Sequence, residues 1–209
     1  MQSTTADPAG NGNMRNHYAL IGAGPMGLAM AKTLLEQGIP FQGFELHSDV
    51  GGLWDIEGPK STMYQTAHLI SSKKMTEFAD FPMDSHVAEY PSHRELKSYF
   101  QKFADHFGLR QHYLFGTEVI SAAPLGKSGE GWRVVWRDAR GEEHSAEFAG
   151  LLIANGTLSE PNMPAFKGTF SGELMHSSAY RDPEIFKGKR VLIIGAGNSG
   201  CDIAVDAIH

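Results

Sequence analysis

The chain has 209 residues and a single cysteine, Cys201. No disulfide can close within it and no C-x-x-C pair exists, so a reducing setting such as the cytoplasm is expected. No apolar run approaches the ~20 residues that a membrane-spanning helix requires. The first sixteen residues are polar and turn-rich and lack the apolar core of a signal peptide, so residues 1–16 read as a disordered extension. Positive charge is also scarce. Lys and Arg number 18 against 24 Asp and Glu, a net charge of −6, and with no basic stripe this argues against a nucleic-acid partner. No metal site is expected.

Glycine, at 24 residues, is plentiful, in a chain whose 41% hydrophobic and 20% charged content is that of a globular protein. The chain is organised around His17-Tyr18-Ala19-Leu20-Ile21, an apolar strand running into Gly22-Ala23-Gly24-Pro25-Met26-Gly27. Gly22, Gly24 and Gly27 have the spacing of a dinucleotide-binding turn. The first permits the tight turn, the second lets the backbone approach a pyrophosphate, and the third lets helix and strand pack closely. Pro25 suits the first helical position, whose N–H has no partner to lose. The N–H groups and positive dipole end of that helix would then face the phosphates. The spacing predicts a helix over Met26–Gln37, with Leu28, Ala31 and Leu35 on one face and Gly38 as its stop. A strand over Phe41–Leu46 follows. It carries Glu45 about 20 residues past the glycines, where an acid accepts from a ribose hydroxyl.

Further on, Gly51-Gly52 allows a bend, and Trp54 after it either covers a cofactor or joins the core. Residues 58–90 show no clean period, and an irregular aromatic stretch of this length is uncommon unless functional or mobile. His68 within it reads as structural. Ser92–Phe107 is a helix: Ser92 and Glu95 form a capping box, Leu96, Tyr99, Phe100, Phe103, Ala104 and Phe107 recur at helical spacing, and Gly108 ends it. Strands are expected over Tyr113–Phe115, Glu118–Ser121, Trp132–Arg137, Glu143–Phe148 and Gly150–Ala154, with Trp132 and Trp136 on one face of a hairpin. Pro161-Asn162-Met163-Pro164 marks a linker. A second apolar strand, Arg190–Ile194, then runs into Gly195-Ala196-Gly197-Asn198-Ser199-Gly200, and Ile203, Ala204, Ala207 and Ile208 give the next helix an apolar face. The glycine spacing thus occurs twice. Two dinucleotides in one protein suggest a flavin and a nicotinamide, placed so that hydride can pass between them.

These residues resemble the flavin-containing monooxygenases. The first glycine motif is similar to their FAD turn and the second to their NADP turn. Between them, Phe170-x-Gly172-x-x-x-His176-x-x-x-Tyr180 resembles the family's identifying sequence; related Baeyer–Villiger monooxygenases usually carry Trp where Tyr180 stands. The resemblance covers residues 17–209. It implies an α/β fold, a Rossmann-like FAD-binding domain over 17–160, completed by downstream chain, a linker over 161–188, and the start of a second Rossmann-like NADP-binding domain over 189–209. By motif, Gly22, Gly24, Pro25, Met26, Gly27, Glu45, Gly52, Leu53 and Trp54 would hold FAD, and Val119 would meet the adenine through its backbone. Gly195, Gly197, Asn198, Ser199, Gly200, Cys201 and Asp202 would lie along the NADPH pyrophosphate, and His176 would organise the linker.

The implied reaction uses NADPH to reduce the flavin. Oxygen then adds at flavin C4a, and one oxygen atom passes to a soft nitrogen or sulfur of a small molecule. No catalytic side chain is singled out, and a homo-oligomer is allowed. Baeyer–Villiger oxygenation of a ketone is the enzymatic alternative, and a flavin-binding fragment without turnover is the non-enzymatic one. A flavin disulfide reductase would need the missing cysteine pair. Two departures stand out. Many family members carry an asparagine in the segment matching 69–75, where this chain has Ile70, or Ser71 with a one-residue slip. Family members are also roughly twice as long.

Overall fold

The computed structural model describes residues 13–126 and 129–208. Its first element, β1 (Asn13–Ile21), begins four residues ahead of the expected strand. Residues 13–16, expected to be a disordered extension, are therefore sheet, and 1–12 lie outside the described residues. The ladder supplies the reason. Asn13 and Met14 register with Glu147 and Phe148, and Arg15 donates from Nε and Nη2 to the Glu147 carboxylate at 2.9 and 2.6 Å.

Then come α1 (Pro25–Glu36), β2 (Phe41–Phe44), a helical turn α2 (Lys73–Thr76) and α3 (His93–His106). Next are β3 (Tyr113–Leu114), β4 (Glu118–Pro124), β5 (Trp132–Arg137), β6 (Glu143–Ile153) and finally α4 (Asn198–Asp206). The six strands form one sheet in the order β3-β2-β1-β6-β5-β4. The β3-β2-β1-β6 half is parallel and the β6-β5-β4 half antiparallel. The two strands expected over Glu143–Phe148 and Gly150–Ala154 are one. The first half of β6 pairs with β5 and the second half with β1. Gly150 does not break it, because Tyr18 registers opposite and a Cβ on Gly150 would lie 2.5 Å from the Tyr18 ring.

Contacts divide the chain into two compact units. One combines the described residues through Gly52 with Phe100–Gly156; the other combines Leu53–Tyr99 with the described residues from Thr157 onward. The first unit holds the whole sheet. Ala19, Phe44, Val134, Trp136, Ala146 and Phe148 form its core on one face, with Phe44 packed at 5.0 Å on Trp136 and edge-on to Phe148 at 6.0 Å. Burying each such ring stabilises by about 1.5–3 kcal/mol. Trp136 is buried and Trp132 half-buried, on the same side of the pleat because an even number of positions separates them. In α1 the buried residues are Gly27, Leu28, Ala31 and Leu34; Leu35 is only half-buried.

The capping box of α3 forms as expected: the Glu95 carboxylate accepts from the Ser92 N–H at 2.9 Å, and the Ser92 hydroxyl accepts from the Glu95 N–H at 3.3 Å.

The second unit has its own core of Tyr64, Ala67, Tyr180 and Ile203. The aperiodic stretch 58–90 is organised by side chains rather than by a ladder. The Tyr99 hydroxyl donates to the Phe81 carbonyl at 2.6 Å and accepts from the Phe78 N–H at 2.8 Å, and the Lys73 ammonium donates to the Val87 carbonyl at 2.6 Å. The expected strand Arg190–Ile194 is not a strand. Among the described residues nothing pairs with it, and Val191, Leu192 and Ile194 are 41%, 83% and 66% exposed. Its apolar sequence alone cannot make a strand without a partner for its N–H and C=O groups. Among the described residues no helix is long and apolar enough to cross a membrane.

Candidate functional site: two glycine turns

The parallel order reverses at β1, with β2 on one side and β6 on the other. In open α/β sheets the crevice beyond the carboxyl ends of the strands at such a switch point is where ligands bind. The first glycine turn sits there. Gly22 has φ +101° and accepts no Cβ, since one would collide with the Ala154 carbonyl at the end of β6. Its N–H donates to the Phe44 carbonyl at 2.8 Å, and the Ala154 N–H donates to the Ile21 carbonyl at 2.8 Å. Gly24 caps α1 in extended backbone, φ −72° and ψ −176°, with no side-chain cap and no acid in the first turn. The N–H groups of that turn are left for a ligand. Gly27 has no room for a Cβ, which would enter the Gly22 carbonyl.

The turn at Gly195 repeats this construction in the second unit. Gly195 has φ +129°. Gly197 caps α4 with φ −78° and ψ 177°, again without a side-chain cap or first-turn acid. A Cβ on Gly200 would lie 2.7 Å from the Gly195 carbonyl oxygen. The Leu28 N–H donates to the Gly24 carbonyl at 2.9 Å, and the Cys201 N–H to the Gly197 carbonyl at 3.0 Å, closing matching first helical bonds. Both turns thus offer an uncapped helix start with space above the second glycine, which is the cradle a pyrophosphate requires.

Glu45 ends up nearly buried beside the first turn. One carboxylate oxygen accepts from the Ala23 N–H at 2.6 Å and the other from the His47 N–H at 2.8 Å. Burial raises its carboxyl above the usual range, against the pull of those two N–H groups. Glu45 therefore braces the turn itself, and each oxygen retains lone pairs with which a sugar hydroxyl could bond. Thr117 donates its N–H to the Glu45 carbonyl at 2.8 Å. Val119 lies two residues on, packed against the core of the sheet.

Gly51-Gly52 does more than bend. Gly51 donates to the Ala23 carbonyl at 3.1 Å, and a Cβ on Gly52 would lie 2.7 Å from the Gly24 Cα. The pair leans directly on the first turn, so Gly22, Gly24, Pro25, Gly27, Glu45 and Gly52 are brought together in one unit. Met26 stands 70% exposed at that helix start. Leu53 and Trp54 continue the 3-10 turn begun by Gly52 and are half-buried in the second unit. Asn198, Ser199, Gly200, Cys201 and Asp202 share the first turns of α4, and Cys201 is an exposed small residue there. His176 accepts from the Ser178 N–H at 3.1 Å and caps the short turn Ser177–Ala179.

Three supporting groups carry no motif. Tyr113 donates its hydroxyl to the Gly27 carbonyl at 3.1 Å, and its ring fills the space where a Gly43 Cβ would stand. The signal for it is Gly43 itself, since a glycine inside a strand marks a close approach. Tyr64 is the second, bonded to Asp202. The third is Asp49, just ahead of Gly51-Gly52. It accepts from Arg110, from Gln101 at 2.7 Å and from the Val50 N–H at 2.7 Å.

Burial alone would raise the Asp49 carboxyl, but the Arg110, Gln101 and Val50 donors outweigh it and hold the group below the usual carboxylate range. The stability it contributes is therefore complete above the unfolded value of about 3.9 and lost as pH falls through the lower folded value. Asp49→Asn should lose stability near neutral pH yet converge on the wild type in acid. Urea unfolding midpoints of both proteins between neutral and strongly acidic pH would check this, and a gap that did not narrow would refute it.

The family model described as flavin-binding monooxygenase-like matches residues 15–209. Human flavin-containing monooxygenase 1 is 37% identical over 206 residues, covering 94% of this chain and 38% of the relative. Among solved structures, S-allyl-L-cysteine S-oxygenase from Allium sativum superposes with a TM-score of 0.83 at 27% identity, over 93% of this chain and 49% of that one. OTEMO, solved in complex with FAD and NADP, superposes with a TM-score of 0.69 at 29% identity, over 94% and 37% of the two chains. The chain thus spans well under half the length of the curated relative it matches.

Proposed function

The chain belongs to the flavin-binding monooxygenase-like family, and from that membership we propose that it forms the dinucleotide-binding part of an FAD- and NADPH-dependent monooxygenase. The observation that carries the reading is the repeated turn: two uncapped helix starts in one chain, each with a positive-φ first glycine, an extended second glycine and a third glycine without room for a side chain. FAD lies on the first turn, with Gly24 and Gly52 under its pyrophosphate and Glu45 toward its ribose. NADPH lies on the second, along Asn198–Gly200. The flavin supplies the redox chemistry and the activation of oxygen. The protein's part is to bind each nucleotide at its own turn and keep water away, which needs few acids or bases.

The substrate is a small molecule with a soft nitrogen or sulfur atom. Tyr180, in place of the Trp usual in Baeyer–Villiger relatives, favours this reading over a ketone. The single cysteine favours a reducing compartment such as the cytoplasm.

The test is the visible spectrum of the purified protein followed by oxygen-dependent NADPH consumption. Bound flavin and turnover stimulated by a thioether or tertiary amine are expected. Stimulation by ketones alone would move the assignment to Baeyer–Villiger chemistry, and absence of flavin would overturn it.

The second turn has its own test. Nothing lies within 4 Å of a Cβ placed on Gly197, so valine fits the protein but stands over the helix start. Gly197→Val should leave flavin content unchanged and raise the NADPH Michaelis constant by about tenfold or more, the size of a lost helix-terminus contact of ~1–2 kcal/mol. An unchanged constant would count against this placement.

A further inference from the structure

We propose that Tyr64 is a positioning residue for the second dinucleotide, a role that rests on reading the Gly195–Gly200 turn as a nucleotide site. Tyr64 is buried in the aperiodic stretch, 138 residues before the group it bonds: its hydroxyl donates to Asp202 Oδ2 at 2.7 Å. One turn further along, Tyr180 and Thr66 both donate to Asp206 Oδ2, at 2.6 and 2.5 Å. The two phenols also pack against each other, tilted by 52°. Tyr64 packs against Tyr180 at 5.3 Å, and Tyr180 lies nearly parallel on Phe186 at 5.3 Å.

Helix α4 has no strand paired beside it among the described residues, and in its own span only Ile203 is buried. Its rotation about its axis is therefore set by the bonds at 202 and 206, four residues apart on one face. That rotation decides where the free N–H groups at the helix start point. Tyr64 adds a local effect: it holds the Asp202 carboxylate in a fixed hydrogen bond one turn in from the helix start, where a loose negative charge would oppose an incoming phosphate.

Tyr64→Phe removes one oxygen and keeps the ring on Tyr180. In the full chain with flavin bound, the NADPH dissociation constant is expected to rise about tenfold, the size of one lost hydrogen bond to a charged group. Flavin content should stay near that of the wild type, and the melting temperature should fall by no more than a few degrees. Adding Asp202→Asn should recover part of the affinity, because the unpartnered carboxylate is then gone. A lower melting temperature with NADPH affinity intact would mean that the bond is merely structural and would overturn the proposal, as would no change at all. If the unsubstituted protein bound flavin but not NADPH, the reading of the second turn would itself fail.

Discussion

Replacing Gly24 with valine leaves a folded protein that no longer retains flavin. The structure separates the two effects. A Cβ on Gly24 meets only the Gly52 Cα, at 3.5 Å, which is ordinary contact, and the extended backbone at this position suits a β-branched residue. Glycine is a moderate helix cap and valine a poor one, so a cost of about 1 kcal/mol is expected for the unliganded protein. The ligand meets a different situation. A phosphate bonded to the helix start must come within hydrogen-bond distance of the backbone, about 3 Å, and the valine methyl groups occupy that approach. Losing these charge-assisted bonds should lower flavin affinity by at least a hundredfold. The ratio of flavin to protein absorbance after purification, with a melting curve of the flavin-free protein, tests both halves. Normal flavin content would place the pyrophosphate elsewhere.

Much of this site is legible in the amino-acid order, because its chemistry is written in residues that have few other reasons to be where they are. Gly22, Gly24 and Gly27 are constrained by local backbone geometry, and local geometry follows from sequence. The capping box at Ser92 and Glu95 is readable for the same reason. The features that differ from expectation depend on partners distant in the chain. Residues 13–16 are strand because Glu147 and Phe148 lie opposite, and 190–194 are not, because nothing does among the described residues. The break expected ahead of Gly150 is absent because Tyr18 fills the space over it. Supports such as Asp49 with Arg110, or Tyr64 with Asp202, join positions 61 and 138 residues apart and leave no periodic trace. The role of Gly52 falls between these cases. The glycine pair is visible and suggests a bend, but that it rests on Gly24 is a tertiary fact.

The neighbouring glycine should behave in the opposite way. Gly27→Ala is expected to destabilise the flavin-free protein, not simply empty it. The added methyl would enter the Gly22 carbonyl, a backbone group that cannot rotate aside, and would come within 3.4 Å of the Tyr113 hydroxyl. That hydroxyl is already bonded to the Gly27 carbonyl and its ring is wedged against Gly43, so α1 cannot slide over β2 without opening this packing. Overpacking of this kind costs about 1–3 kcal/mol and more where backbone must move, while alanine's better helix propensity returns at most about 1 kcal/mol. For a chain of this size each kcal/mol moves the melting midpoint by roughly 2–4 °C, so a drop of several degrees is expected without any ligand present. Calorimetry of the flavin-free wild type, Gly24→Val and Gly27→Ala proteins side by side decides the matter. If the Gly27 variant melted with the wild type, the close approach of α1 to β1 would not be what requires glycine there. The third glycine would then have to be explained by the nucleotide alone.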